Sequence, residues 1–259
     1  MQQRIGQRRG PRGNTIQTLR TWGLLFLAMG IAGQTIIQNT MLGVGQISME
    51  ELLLAMDDQN TMIWATVALV AQLFQTCAIP IFTFLLVQGV MHTSSFKNYA
   101  LRVAGIALLA EIPFDLAMTG KPFFFGNQNP VLGLLLAMVV LWFIRHYSGK
   151  GFKSVLIGIL VTVMAVFWVG MLRISDGVMT VVLVVIFWLT RRKLIWQVFA
   201  GACATLLCTM LSLLYFMAPM SFLLIHFYNE EPGEGNKAVS YFAYPALLLG
   251  LYLVGVFLF

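Results

Sequence analysis

Charged residues are scarce in this chain: lysine, arginine, aspartate and glutamate together make up 10% of its 259 residues. Hydrophobic residues make up 59%, and the mean hydropathy is +0.84. A soluble globular domain carries about 25% charged residues, so this composition excludes that class. Apolar runs long enough to cross about 30 Å of hydrocarbon predict a helical membrane protein instead.

The sequence also lacks the motifs of common soluble enzymes. It contains no glycine-rich phosphate loop, no Gly-x-Ser-x-Gly elbow and no paired metal ligands. Its three cysteines, Cys77, Cys203 and Cys208, all lie inside apolar runs. We therefore expect neither a disulfide framework nor a metal site.

Eight apolar runs predict an all-α fold, a polytopic transmembrane helix bundle. We expect spans at about 19–43, 62–91, 99–119, 130–147, 153–172, 177–190, 194–216 and 239–258. An apolar piece at 219–227 is too short to cross as an α-helix, so we expect it to be re-entrant or interfacial. Residues 1–18 are predicted to form a basic tail, and residues 19–259 a single domain.

Lysine and arginine are distributed unevenly between the two sets of predicted loops. Thirteen of the sixteen fall on the side of the N-terminus, and Lys121, Arg173 and Lys237 fall on the other. Because basic loops stay in the cytoplasm, we predict that both termini are cytoplasmic and that the protein is a multi-pass protein of the cytoplasmic membrane. The basic tail then lies on lipid headgroups, not on nucleic acid. All ten acids fall on or near the external side, which predicts an acidic external cavity.

The stretch 107–136 places two acids in an apolar segment. Glu111 and Asp115 are four residues apart and share a helix face. Ionisable groups are costly in a membrane span, so the first hypothesis is a functional site. The alternative is a structural pair that bonds a neighbouring helix. Asn129 followed by Pro130 predicts a helix start with Asn129 as its cap.

Further polar side chains are predicted at the same external level, and together they favour a cavity open to the outside. They are Gln34, Gln38, Gln128, Asn129, Arg173, His226, Tyr228, Asn229 and Tyr244. Each also has a structural interpretation. The glutamines can bond between helices, and the tyrosines can anchor at the membrane interface. Arg173 can pair with Asp176, and His226 can be an interfacial histidine.

Several blocks of the sequence resemble the TraX-like membrane proteins, a family named from a conjugation protein that N-acetylates pilin. The blocks are CAIPIFTFLLVQGVMHTSSFKNYALR at 77–102, then LLAEIPFDLA, NQNPVLGLLL, HFYN at 226–229 and YPALLL at 244–249. The resemblance implies an integral membrane acyltransferase. Its donor would be acetyl-CoA or another acyl-CoA, and its acceptor an amine or hydroxyl of a peptide or protein beyond the membrane. The resemblance also implies that four residues in these blocks match functional positions of the family: Glu111, Asp115, Asn129 and Tyr244.

The chain departs from the family pattern where that pattern has ionisable residues. Ala32-Gly33 stands in place of an Asp-His pair, and Thr76 in place of an arginine. Asn127 and Leu247 stand in place of histidines. An acyl transfer by this chain would therefore depend on other side chains.

Two hypotheses follow from these residues. In the first, the protein transfers an acyl group with His226 as general base, Glu111 or Asp115 as its orienting acid, and Gln128 and Asn129 as oxyanion donors. In the second, it is a non-catalytic binding, scaffold or transport protein whose acidic external cavity attracts a cationic ligand. The predicted partners are the lipid bilayer and a peptide or protein acceptor, with no nucleic acid.

Overall fold

The computed structural model describes residues 13–44, 49–55, 57–149, 151–233 and 237–258. These residues form an all-α bundle, which confirms the predicted fold class. Its α-helices are α1 Ile16–Ala32, α2 Met49–Ala55, α3 Gln59–Gln75, α4 Ala78–His92, α5 Phe96–Thr119, α6 Pro130–His146, α7 Phe152–Met171, α8 Gly177–Leu189, α9 Leu194–Cys208, α10 Ser221–His226 and α11 Lys237–Leu258. A π segment, Gly33–Met41, continues α1, and a 3₁₀ segment, Leu213–Met220, precedes α10.

Three helical stretches are long and apolar enough to cross a membrane on their own. They are Ile16–Met41, Gln59–His92 and Phe152–Met171. Of the shorter apolar helices, α6 and α8 pack against these stretches, and α9 packs against α8 and α10. These lengths and compositions are those of a membrane protein.

The bundle has two ends, which we name after two asparagines. At the Asn14 end, the Asn14 N–H donates to the Phe227 carbonyl at 2.6 Å, and the Asn229 N–H donates to the Asn14 carbonyl at 3.0 Å. At the Asn39 end, the Asn39 side-chain amide donates to two carbonyls of the last turn of α5 at 3.3 and 3.0 Å. The helical rise places the two ends about 30 Å apart, close to the thickness of a bilayer core.

The last helix corrects the predicted topology. The residues before α11 lie at the Asn14 end, because the Ile16 N–H donates to the Glu231 carbonyl at 2.9 Å. The helix finishes at the Asn39 end, where a Cβ on Gly255 would lie 3.2 Å from the Thr40 hydroxyl oxygen. Gly13 and Leu258 therefore lie at opposite ends of the bundle. The ends of the described chain therefore do not follow the prediction that both termini share one side.

The topology changes because residues 213–226 run along the bundle instead of turning back at one surface. The 3₁₀ segment starts on the Asn39 side, where the Thr76 hydroxyl donates to the Leu214 carbonyl at 3.2 Å, and α10 ends at the Asn14 end. A 3₁₀-helix rises about 2.0 Å per residue, so this segment and α10 together extend about 25 Å. Residues 219–227 were predicted to be re-entrant or interfacial because an α-helix of that length is too short to cross the bundle. The predicted span 194–216 therefore divides, and α9 ends at Cys208.

Two apolar clusters form the core of the described residues. The larger packs α4, α6, α8, α9 and α10 around Phe84 and Phe187, whose rings meet edge to face at 5.6 Å between centroids. The smaller joins α1, α5 and α11 through Ile31, Phe114 and Leu248. These same three residues line the polar cavity described next, so the smaller cluster fixes one of its walls.

Candidate functional site

A polar cavity of about 260 Å³ lies on the Asn39 side of the bundle. Hydrogen-bonding side chains from several helices and loops line it, which is unusual inside an apolar bundle. They are Gln34, Gln72, Gln75, Thr76, Asn127, Ser175, Asp176, Ser212, Tyr215 and Tyr244. Of the residues proposed from sequence, Gln34 and Tyr244 line this cavity, whereas the half-buried Gln38 does not.

Asp176 is the acidic residue of this cavity. It precedes α8 with φ +55°, in the left-handed region that non-glycine residues seldom adopt. Its side chain makes no capping hydrogen bond to α8, and its Oδ1 instead accepts the Tyr215 hydroxyl at 2.9 Å. Within the described residues, Tyr215 is the side chain that bonds this carboxylate, and the predicted partner Arg173 is exposed. The carboxylate therefore keeps acceptor capacity for a molecule in the cavity.

Gln72 presents an unused donor to the same space. Its Nε2 is buried and has no hydrogen-bond partner among the described residues. Buried polar groups are usually satisfied, so an orphaned amide in a cavity wall indicates a place for a bound polar group. Gln72 is therefore a candidate donor to a ligand.

A second, apolar cavity of about 330 Å³ extends from this region toward the Asn14 end. Its polar residues at that end are Arg20, Gln88, His92 and Tyr99. The two cavities share five lining residues: Leu27, Gln75, Pro130, Asp176 and Tyr244. Asp176 therefore lies in the wall that the two cavities share.

Glu111, in contrast, contacts a helix cap. Asn129 is 0% exposed, and its Oδ1 accepts the Val131 N–H at 3.0 Å, which confirms the predicted cap of α6. Its Nδ2 donates to the Ala107 carbonyl at 3.0 Å and to the Glu111 carboxylate. Both N–H donors of this amide are already used. The arrangement favours the structural interpretation of Glu111, and it leaves Asn129 no spare N–H for the predicted role of oxyanion donor.

Asp115 and Gln128 hold loops outside the polar cavity. Asp115 is 3% exposed, and its Oδ2 accepts the Phe124 N–H at 2.8 Å, which fixes the loop after α5. The Gln128 N–H donates to the Arg173 carbonyl at 2.9 Å, and the Ser175 N–H donates to the Gln128 carbonyl at 3.0 Å. None of the side chains of Asp115, Gln128 or Arg173 lines either cavity described above.

Three other predicted site residues lie at the Asn14 end. His226 is exposed at the end of α10. The Tyr228 ring is buried and packs edge to face on Phe84 at 5.2 Å between centroids. The Asn229 backbone bonds Asn14. These positions follow from the traverse made by residues 213–226.

This placement separates the side chains that the first sequence hypothesis joined as base and orienting acid. His226 cannot be oriented by Glu111 or Asp115, because it lies at the Asn14 end and they lie on the Asn39 side. Glu230 and Glu231 follow His226 to the Asn14 end, so these two acids do not lie at the end predicted for them. Glu234 lies outside the described residues.

Gln72, Tyr215 and Asp176 were not predicted as site residues from the sequence. A signal was present in α3, where Gln72, Gln75 and Thr76 follow the i, i+3, i+4 spacing of one helix face. Asp176 was hidden because an acid before an apolar run resembles an ordinary helix cap or ion-pair partner. The bond between Tyr215 and Asp176 joins two distant parts of the chain, and no local pattern reports it.

Together, the fold and the cavities define an integral membrane protein of the helical-bundle class, with a polar site enclosed between its helices. The family model described as "TraX protein" matches residues 51–255, and the chain therefore belongs to the TraX family. Among curated proteins and solved structures, none matches the chain.

Proposed function

We propose that this protein is a membrane acyltransferase that moves an acyl group from acyl-CoA to an amine or hydroxyl of a peptide or protein acceptor. The observation that carries the proposal is the Asp176 carboxylate in the wall shared by the two cavities. Membership of the TraX family supports the same reaction class. A general base located where two substrates meet would accelerate acyl transfer, because it can take the proton of the acceptor while both substrates are held in place.

The proposed orientation places the Asn14 end in the cytoplasm of a bacterial cell and the Asn39 end outside its inner membrane. Lys97, Arg145, Arg191 and Lys193 belong to the connections at the Asn14 end. Basic connections of this kind remain cytoplasmic. In this orientation the protein is a multi-pass protein whose termini lie on opposite sides of the membrane.

The donor would enter from the cytoplasm through the apolar cavity. A pantetheine arm and a short acyl chain are mostly apolar with a few amides, which suits a lining of leucine, isoleucine and phenylalanine with Gln88 among them. Arg20 and His92 lie at the cytoplasmic end of this cavity, where the Arg20 guanidinium favours the phosphates of a nucleotide. The acceptor would enter from the other side, into the polar cavity.

In the proposed reaction, the acceptor nitrogen or oxygen attacks the thioester carbonyl while its proton passes to the Asp176 carboxylate. The new carbon–nitrogen or carbon–oxygen bond forms, the carbon–sulfur bond breaks, and the departing thiolate receives the proton that Asp176 has taken. The unused Gln72 Nε2 would stabilise the negative charge on the carbonyl oxygen. Tyr215 would hold Asp176 in place through its hydroxyl.

A direct test uses the purified full-length protein in nanodiscs, with acetyl-CoA and peptides that carry one free amine. We expect CoA release that depends on the peptide, and a peptide mass increased by one acetyl group. Asp176→Asn should abolish both while leaving the melting temperature unchanged. If Asp176→Asn releases CoA at the wild-type rate, Asp176 is not the general base. If the wild-type protein transfers no acyl group of any tested length to any tested acceptor, the proposed reaction is wrong.

A transport function is the second candidate, favoured by the meeting of two cavities from opposite ends at one carboxylate. Proteoliposomes separate the two functions. With acetyl-CoA on one side and peptide on the other, a transferase yields acetylated peptide without net movement of either substrate. A carrier moves unmodified peptide across the bilayer.

A further inference from the structure

An apolar groove of about 450 Å³ runs along the outside of the bundle between α5 and α6. Its lining is Phe96, Lys97, Ala100, Leu101, Ala104, Leu135, Met138, Val139 and Trp142. Leu101, Val139 and Trp142 are among the exposed large side chains, so the groove faces the surroundings of the bundle. The small side chains of Ala100 and Ala104 leave space along α5. The groove is separate from the two internal cavities.

The mouth of this groove is basic. Lys97 lines it directly, and the Arg145 guanidinium carbon lies 5.6 Å above the centroid of the lining residue Phe96. The same guanidinium lies 5.7 Å from the centroid of Trp188, over which Arg191 stacks at 4.2 Å. Cation–π contacts of this kind hold arginine side chains in fixed positions. Two guanidinium groups are therefore held at one indole beside the groove.

These positive charges repel one another. Partial burial lowers the pKa of the Arg191 guanidinium, and the neighbouring charges of Arg192 and Arg145 lower it further. A bound anion would relieve this repulsion. The groove therefore combines an apolar floor with a cationic mouth at the end of the bundle where the basic connections lie.

We propose that the groove between α5 and α6 binds one anionic phospholipid, with its phosphate headgroup at Lys97 and Arg145 and one acyl chain along Ala100, Ala104 and Leu135. The occupant follows from the chemistry of the groove, because an amphiphile with a single negative head matches a site that is positive at one end only. A juxtamembrane lysine or arginine strengthens the attraction to anionic lipid by several-fold. The site is independent of the proposed acyl transfer.

The test uses native mass spectrometry of the full-length protein in a neutral detergent, titrated with phosphatidylglycerol or with phosphatidylcholine of the same chains. The wild-type protein should bind phosphatidylglycerol about thirtyfold more tightly than phosphatidylcholine, which is the effect expected for two basic side chains. Lys97→Gln with Arg145→Gln should reduce this preference to about twofold. Lys153→Gln is the charge control, because Lys153 belongs to the same end but does not line the groove.

A second pair of variants tests the acyl chain. Ala104→Phe fills the groove and should weaken the binding of both lipids by about tenfold. Leu108→Phe, one turn further along α5 and outside the groove, should leave the binding of both lipids unchanged. Glycerol phosphate, a headgroup without chains, should not compete with the lipid. Lys97→Gln alone, which retains Arg145, gives a milder charge variant should the double variant misfold.

Three results would overturn the proposal. Equal affinity of wild type for the two lipids would remove the headgroup site. Competition by glycerol phosphate as effective as that by the lipid would reduce the site to a surface anion site. A dimer of the wild-type protein that Ala104→Phe converts to a monomer would identify the groove as a contact between two copies of this chain.

Discussion

Glu111 and Asp176 are both carboxylates placed among apolar helices, and they differ in their partners. Glu111 bonds an asparagine whose two N–H donors are both occupied and whose oxygen caps α6. Asp176 bonds one hydroxyl and faces two cavities. The cost of placing a carboxylate among apolar helices is offset at Glu111 by the hydrogen bond to the cap of α6. At Asp176 no comparable structural role among the described residues offsets this cost, which indicates a functional role. The difference teaches that a buried acid becomes informative only when its partners are known.

The largest effect expected from this comparison is on the chemistry at Asp176. Asp176→Asn keeps the size of the side chain and an acceptor for the Tyr215 hydroxyl, but the amide cannot take a proton. The acyl transfer rate should fall by about 10²- to 10⁴-fold, as expected for loss of a general base. Single-turnover CoA release measures the effect. Glu111→Gln is the matched control, and a comparable loss in that variant would contradict the distinction between the two acids.

The second largest effect on the transfer rate is expected at the side-chain amide of Gln72. Gln72→Met conserves volume and removes the unpartnered Nε2, so the rate should fall by about 10²-fold, the lower range for loss of one oxyanion donor. The loss should appear in kcat more than in KM, because the contact strengthens in the transition state. A change in KM alone would show that Gln72 binds substrate without stabilising the developing charge.

On the structural side of the comparison, Asn129→Ala removes the cap of α6 and leaves Glu111 without its amide partner. The free energy of unfolding should fall by about 2 kcal/mol, the upper range for loss of a helix cap. Thermal melts of purified protein measure this change. The activity per folded molecule should stay near that of wild type. A stable but inactive Asn129→Ala protein would return Asn129 to the catalytic site.

The smallest effect is expected at His226, the base favoured by sequence reasoning. His226→Ala should change the transfer rate by less than about twofold, because the ring is exposed at the Asn14 end and lies outside both cavities. The same assay of CoA release tests it. Loss of activity with unchanged folding would show that the site extends to the end of α10.

Local patterns predicted local structure well. Asn129 followed by Pro130 gave the cap of α6, and composition gave an all-α membrane bundle. The error at residues 213–226 has a physical origin, because an apolar run does not reveal whether it will adopt an α or a 3₁₀ rise. Because of this one ambiguity, the sequence predicted the opposite direction for α11 and placed His226 at the wrong end of the bundle.

The sequence by itself determined the class of the protein, its helices and several of the polar positions, because hydrophobic content and capping residues act over a few neighbouring residues. Only the tertiary structure decided which polar residues meet. Asp176 and Tyr215 are 39 residues apart and meet because the 3₁₀ segment, which packs on α3, α4 and α9, passes beside the start of α8. Such contacts depend on the direction in which every intervening segment crosses the bundle, which the spacing of residues along the chain does not encode.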